Sequence, residues 1–226
     1  KLKHRCVYEY TSKLQRMFTD TNLSKEISEM YKRYMSEQKI DLGLDFSVMI
    51  LGSCVWPFSS SVTFDIPRQL GNCIDQFKKF YVSRHTGRKL VFLLNQSRGE
   101  VITSCFSRKY TFTANTAQMS VLLLYKDSTD ISIGYMLENT KLKEEMLHSI
   151  LIGFVKADLL KVVGDNLDIS AKCPTSTVLS LNTNFSSKKL KVDLSKGLFR
   201  TEVKQESTEV QKSVEADRRL VIQAAI

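Results

Sequence analysis

The sequence predicts an α+β fold, and three observations carry the prediction. From Pro67 apolar residues recur at the helical period of 3.6 as far as Gly87 and switch to a period of 2 directly after it. Three more helical stretches between Asn115 and Lys156 then run into two short apolar segments at strand spacing, and three helices with a two-stranded wing make a winged-helix arrangement. From about Thr208 the helical period returns and runs to Ile226. The expected parts are a helix-bundle segment, an antiparallel sheet domain, a winged-helix subdomain and a long final helix.

Taken in order, Tyr10, Leu14, Met17 and Phe18 mark one helix up to Asp20, and Asn22 is placed to cap a second that carries Leu23, Ile27, Met30, Tyr31 and Tyr34. Asp45 to Gly52 alternates Phe46, Val48 and Ile50 against Ser47 and Met49, a short strand that Trp56-Pro57-Phe58 ends. Pro67 opens another helix, where its missing N–H costs nothing; Leu70, Ile74, Phe77, Phe80 and Tyr81 share one face, and Gly87 suits a left-handed stop.

Leu90–Leu94, Val101–Phe106 and Tyr110–Ala114 read as an antiparallel meander whose first strand, apolar on both faces, is covered on both sides. Helices follow over Asn115–Lys126, near Ser132–Asn139, and over Lys143–Lys156. Leu159–Val163 and Thr177–Thr183 form the wing, and Lys188–Asp193 is a last, lysine-rich strand. The expected division is a helix-bundle portion with a short strand over 1–87, a sheet from 88–114 and 177–200, and a winged-helix subdomain over 115–183 that shares its wing with that sheet. A linker and a truncated helix fill 201–226. The chain reads as a fragment, beginning and ending inside helices.

Composition narrows the function. The longest apolar run, Val121 to Tyr125, is far short of the roughly 20 residues a membrane span needs, so no membrane partner is expected. Cys6, Cys54, Cys73, Cys105 and Cys173 are scattered without a C-x-x-C pair, and none of His4, His85 and His148 lies three or four residues from a cysteine or another histidine, as a chelating helix needs. Neither metal nor cofactor is expected. Catalytic signatures are missing too: there is no G-x-S-x-G and no phosphate-cradling glycine loop, and Glu144-Glu145 and Asp127/Asp130 read as solvated charges.

Net charge is +9 from 33 basic and 24 acidic residues, which favours acidic partners of any kind. A winged helix with that charge suggests nucleic acid. Its third helix, however, carries Glu144 and Glu145 beside Lys143, His148, Ser149 and Lys156, carboxylates where phosphate contacts need cations. Nucleic-acid binding is therefore the alternative rather than the first reading.

Three blocks point elsewhere. Tyr8-Glu9-Tyr10-Thr11-Ser12-Lys13-Leu14-Gln15-Arg16-Met17-Phe18, Phe80-Tyr81-Val82-Ser83-Arg84-His85-Thr86-Gly87-Arg88-Lys89-Leu90 and Asp217-Arg218-Arg219-Leu220-Val221-Ile222-Gln223-Ala224-Ala225-Ile226 stand in the order and spacing of the cullin homology region. The chain resembles the C-terminal part of cullins over its whole length, in wording closest to the cullin of SCF-type ubiquitin ligases.

The resemblance implies a non-catalytic scaffold of a cullin-RING ubiquitin ligase, cytoplasmic and nuclear, that contributes by proximity. It implies that a strand of the RING-box protein completes the sheet of Leu90, Phe92, Val101, Tyr110 and Phe112, and that the uncovered edge is prone to aggregate. It also implies a cationic surface of Lys13, Arg16, Lys188, Lys189, Lys191, Arg218 and Arg219 that attracts the acidic tail of a ubiquitin-conjugating enzyme. The helical arm that receives the adaptor and substrate receptor, and the second winged helix with its modified lysine, are not in this sequence, so substrate choice and switching by modification are not expected of it.

Overall fold

A computed structural model describes residues 8–53, 55–56, 58, 62–164 and 173–195. The chain divides into two compact units, Lys1–Ser61 with Pro67–Phe92 and Val62–Ile66 with Leu93–Ile226.

Unit 1 is built on α1 (Tyr8–Glu37) and α2 (Arg68–Arg84). The two helices expected around Asn22 are one helix of 30 residues. No glycine or proline interrupts it, and the residues that could have capped a break are used otherwise. The hydroxyls of Thr19 and Thr21 donate back to the carbonyls of Gln15 and Met17, at 3.1 and 2.9 Å. Ile27 and Tyr31, one turn apart on α1, meet Phe77, Phe80 and Tyr81 on α2, with the Tyr31 ring 5.0 Å from Phe77 and 5.1 Å from Phe80. Tyr31 packs edge-on against Phe77, a favourable aromatic geometry. Pro67 stands at the N-cap of α2, and Gly87 takes φ +79° just past its end, as expected.

The strand expected at Asp45–Gly52 has no strand partner among the described residues. Its main chain is satisfied by α1 instead: the Ser24 hydroxyl donates to Ile50 O (2.6 Å) and accepts from Ile50 N–H (2.8 Å), and Ser28 donates to Val48 O (3.0 Å). Asp20 accepts from Gly52 N–H at 2.7 Å and from the indole N–H of Trp56 at 2.9 Å. Residues 20, 24 and 28 stand about 6 Å apart along a helix, close to the roughly 6.6 Å that two extended residues span, so one helix stripe keeps register with residues 52, 50 and 48. Phe46, Val48 and Ile50 pack on the unit's core, and Met49 points out.

Leu90–Leu94 is not a strand either, which corrects the expected meander. Leu90 and Phe92 pack against the helical core of unit 1 while Val91 is exposed, and a 3-10 turn at Leu94–Gln96 follows. The segment is extended and amphipathic, but helices cover it.

Unit 2 holds two small sheets. In the first, β1 (Arg98–Ile102) pairs antiparallel with β2 (Thr111–Asn115), setting Gly99 against Ala114 and Val101 against Phe112. The third strand comes from far along the chain: β6 (Lys191–Asp193) pairs with β2 in parallel, Phe112 opposite Val192, so the sheet is mixed.

Between them lie α3 (Thr116–Leu124), β3 (Asp130–Ser132), α4 (Ile133–Thr140), α5 (Glu144–Lys156), β4 (Leu160–Val162) and β5 (Val178–Leu181). The three helices and the β4–β5 wing stand where the sequence places them. Sequence reading misses β3, whose three residues Asp-Ile-Ser acquire strand geometry only by pairing with β5, Ile131 opposite Leu179. Asn115 and Gln118 form a buried capping box at the start of α3, and the Gln118 amide also donates to Leu194 O at 2.9 Å, tying β2, α3 and the end of β6 together. One core runs through the unit, from Phe106, Tyr110, Phe112 and Phe185 at the sheet to Ile150, Leu151 and Phe154 on α5. The helix expected from Thr208 lies outside the described residues.

Candidate protein-binding surface

β1 is the outer strand of its sheet, with β2 on one side and no strand on the other among the described residues. Such an edge presents unpaired main-chain donors and acceptors and can accept a further strand. Burial alternates along it: Gly99 and Val101 are half-buried, whereas Arg98, Glu100 and Ile102 are exposed, Ile102 to 74%. On the exposed face Glu100 reaches across β2 to pair with Lys191. Gly99 faces the flexible end of Met119 on α3, whose sulfur would stand 2.8 Å from a Cβ at this position.

The five sheet residues named from the sequence separate. Val101, Tyr110 and Phe112 belong to unit 2, and Leu90 and Phe92 to unit 1. Tyr110 and Phe112 are buried to 1% and 0% exposure, so they shape the sheet from beneath and do not reach a partner directly. Tyr110 closes the β1–β2 loop: its carbonyl accepts from Thr103 N–H at 2.9 Å and its hydroxyl from Ser187 N–H at 3.2 Å.

Of the seven cations, Lys13 and Arg16 are exposed on α1, and Lys188, Lys189 and Lys191 are exposed beside the first sheet of unit 2. Arg218 and Arg219 lie outside the described residues. Lys191 is already paired to Glu100, which lowers the free charge of the group. The structure adds two cations that sequence spacing does not reveal. Thr111 N–H donates to Leu190 O at 2.8 Å, which brings the loop end bearing Arg108 and Lys109 beside Lys188 and Lys189.

The titratable groups serve the fold. Burial pushes the Cys73 thiol up, and it donates to Gln69 O at 3.2 Å. The phenols of Tyr31 and Tyr125 are likewise raised, chiefly by burial. Among the described residues no group of histidine, cysteine and carboxylate side chains could hold a metal ion, and no helix is long and apolar enough to cross a membrane.

The winged-helix region is not the basic part of the chain. Between Thr116 and Leu181, Lys126, Lys141, Lys143, Lys156, Lys161 and Lys172 are outnumbered by Asp127, Asp130, Glu138, Glu144, Glu145, Asp158, Asp165 and Asp168.

Residues 50–185 match the family described as the Cullin alpha+beta domain. The whole chain is also similar to proteins named Cullin-1: 34% identical to that of Caenorhabditis elegans over 29% of its length, 40% to that of Schizosaccharomyces pombe over 29%, and 38% to that of Dictyostelium discoideum over 30%. The chain thus spans under a third of these relatives.

Proposed function

This chain belongs to the cullin family, and from that premise we propose that it is a scaffold segment of a cullin-RING ubiquitin ligase. It holds the RING-box protein by strand addition and helps to recruit a charged ubiquitin-conjugating enzyme, in the cytoplasm and nucleus. The observation that carries the reading is the outer edge of β1, which has no strand partner among the described residues, flanked by exposed Ile102 and backed by an aromatic core. Main-chain hydrogen bonds along such an edge supply affinity, and alternate side chains supply selectivity. The scaffold's contribution to ubiquitin transfer is positional: it raises the local concentration of the thioester near a substrate lysine.

Arg108, Lys109, Lys188 and Lys189 provide a cationic group for an acidic tail, and clustered charge of that kind accelerates encounter more than it tightens a complex. Nucleic-acid binding is the weaker reading, because acidic residues outnumber basic ones across the winged helix.

Co-expression with a RING-box protein followed by size-exclusion chromatography tests the proposal. Stoichiometric co-elution, with the chain alone aggregated, supports it; a monodisperse free chain that ignores the RING-box protein contradicts it.

A further inference from the structure

The chain enters unit 2 twice: it leaves unit 1 for five residues, Val62–Ile66, returns at Pro67, and crosses again at Leu93. Those five residues run without helix or strand, with Val62, Phe64 and Ile66 covered and Thr63 and Asp65 exposed. Phe64 is 8% exposed and joins the core cluster that holds Met136 and Leu142, and Val62 and Ile66 pack against that cluster. The segment is held by a main-chain bond, Asp65 N–H to Thr140 O at 2.7 Å, and by an ion pair, Lys141 Nζ to the Asp65 carboxylate at 2.8 Å.

Lys141 caps the end of α4 at φ 50°, a left-handed position normally given to glycine or asparagine. Its side chain reaches the Asp65 carboxylate in an ion pair that stays largely exposed. The face therefore offers what recognition of an extended peptide requires: cover for alternate apolar side chains, a main-chain acceptor and one fixed charge.

We infer that the face of unit 2 at the end of α4 is a peptide-binding groove for extended segments of the pattern apolar, any, aromatic, acidic, apolar, and that Val62–Ile66 is its resident and displaceable ligand. Tethered at both ends, the resident segment competes at the high effective concentration of an intramolecular ligand. A second segment of the same chemistry enters only where the resident one is released.

The test uses the full chain and a fluorescein-labelled peptide copying residues 61–67, Ser-Val-Thr-Phe-Asp-Ile-Pro. The double variant Phe64→Ala, Asp65→Ala removes the aromatic anchor and the ion pair of the resident segment, and circular dichroism confirms that it is folded. Fluorescence anisotropy is expected to show binding to this variant at least about ten-fold tighter than to the unaltered chain. Adding Lys141→Glu weakens it, and a peptide with lysine in place of its aspartate restores it. Equal binding to both proteins, or none to the folded variant, overturns the inference. Should the variant not fold, hydrogen exchange in the unaltered chain decides. An Asp65 amide that exchanges by local opening at least about a hundred-fold faster than the α5 amides supports a displaceable segment, whereas equal rates make it permanent core and overturn it.

Discussion

Asp20 decides the path of a segment thirty residues away in sequence, because its carboxylate takes both the Gly52 amide and the Trp56 indole. Asp20→Ala leaves both donors without that acceptor and is expected to cost about 1.5–3 kcal/mol, the range for hydrogen bonds to charged groups. Trp56 is the single tryptophan, so its emission reports the site directly: a red-shifted spectrum and a lower urea midpoint are the expected outcome. At Tyr125, burial first and then the charge of Asp130 raise the phenol above its ordinary value of 10.0. The folded chain therefore keeps this proton to higher pH than the unfolded chain does. The associated stability is complete below about pH 10 and declines as pH rises beyond it. Tyr125→Phe loses the bond to Leu179 O, at about 1 kcal/mol, and shows a shallower alkaline decline in denaturation midpoint. Residues whose role is local were legible in the sequence: Pro67 before α2, Gly87 after it, Asn115 at the start of α3. Asp20 was not, because its role depends on a segment brought to it by the tertiary fold.

At the scale of elements, α4 and α5 were legible from an apolar face, α3 from its apolar run and the wing from its two short apolar segments. The errors share one cause, which is that an extended apolar segment does not declare what covers it. Residues 46–52 and 90–94 both alternate as strands do, yet the first is bonded by hydroxyls of α1 and both are covered by helices. Conversely β3 is too short for a period and exists through its partner β5, whereas β6 falls inside the lysine-rich strand expected at Lys188–Asp193. Ser24→Ala therefore tests a pairing that sequence periodicity could not supply. It removes the partner of both the N–H and the C=O of Ile50, and the expected cost is about 1–3 kcal/mol with faster hydrogen exchange at Ile50. Unchanged exchange there would mean that the hydroxyl ladder does not hold the segment. Val101 lies on the edge strand, but Tyr110 and Phe112 lie under the sheet, and Arg108 and Lys109 join the cations through folding alone.

For the whole molecule, the surplus of positive charge sits outside the winged-helix region and includes Arg108, Lys109, Lys188 and Lys189 beside one end of the first sheet. Reversing Lys188 and Lys189 to glutamate is expected to slow capture of an acidic-tailed conjugating enzyme about ten-fold at low salt and to flatten its salt dependence, with little change in stability. Stopped-flow association at two ionic strengths measures both. The scaffold reading rests most heavily on the edge of β1, and hydrogen exchange of residues 98–102 with and without a RING-box protein tests it most directly. The account predicts new protection of these amides when the partner is added, while the α5 amides are unchanged. A partner that binds and leaves 98–102 exchanging as before would contradict strand addition at this edge.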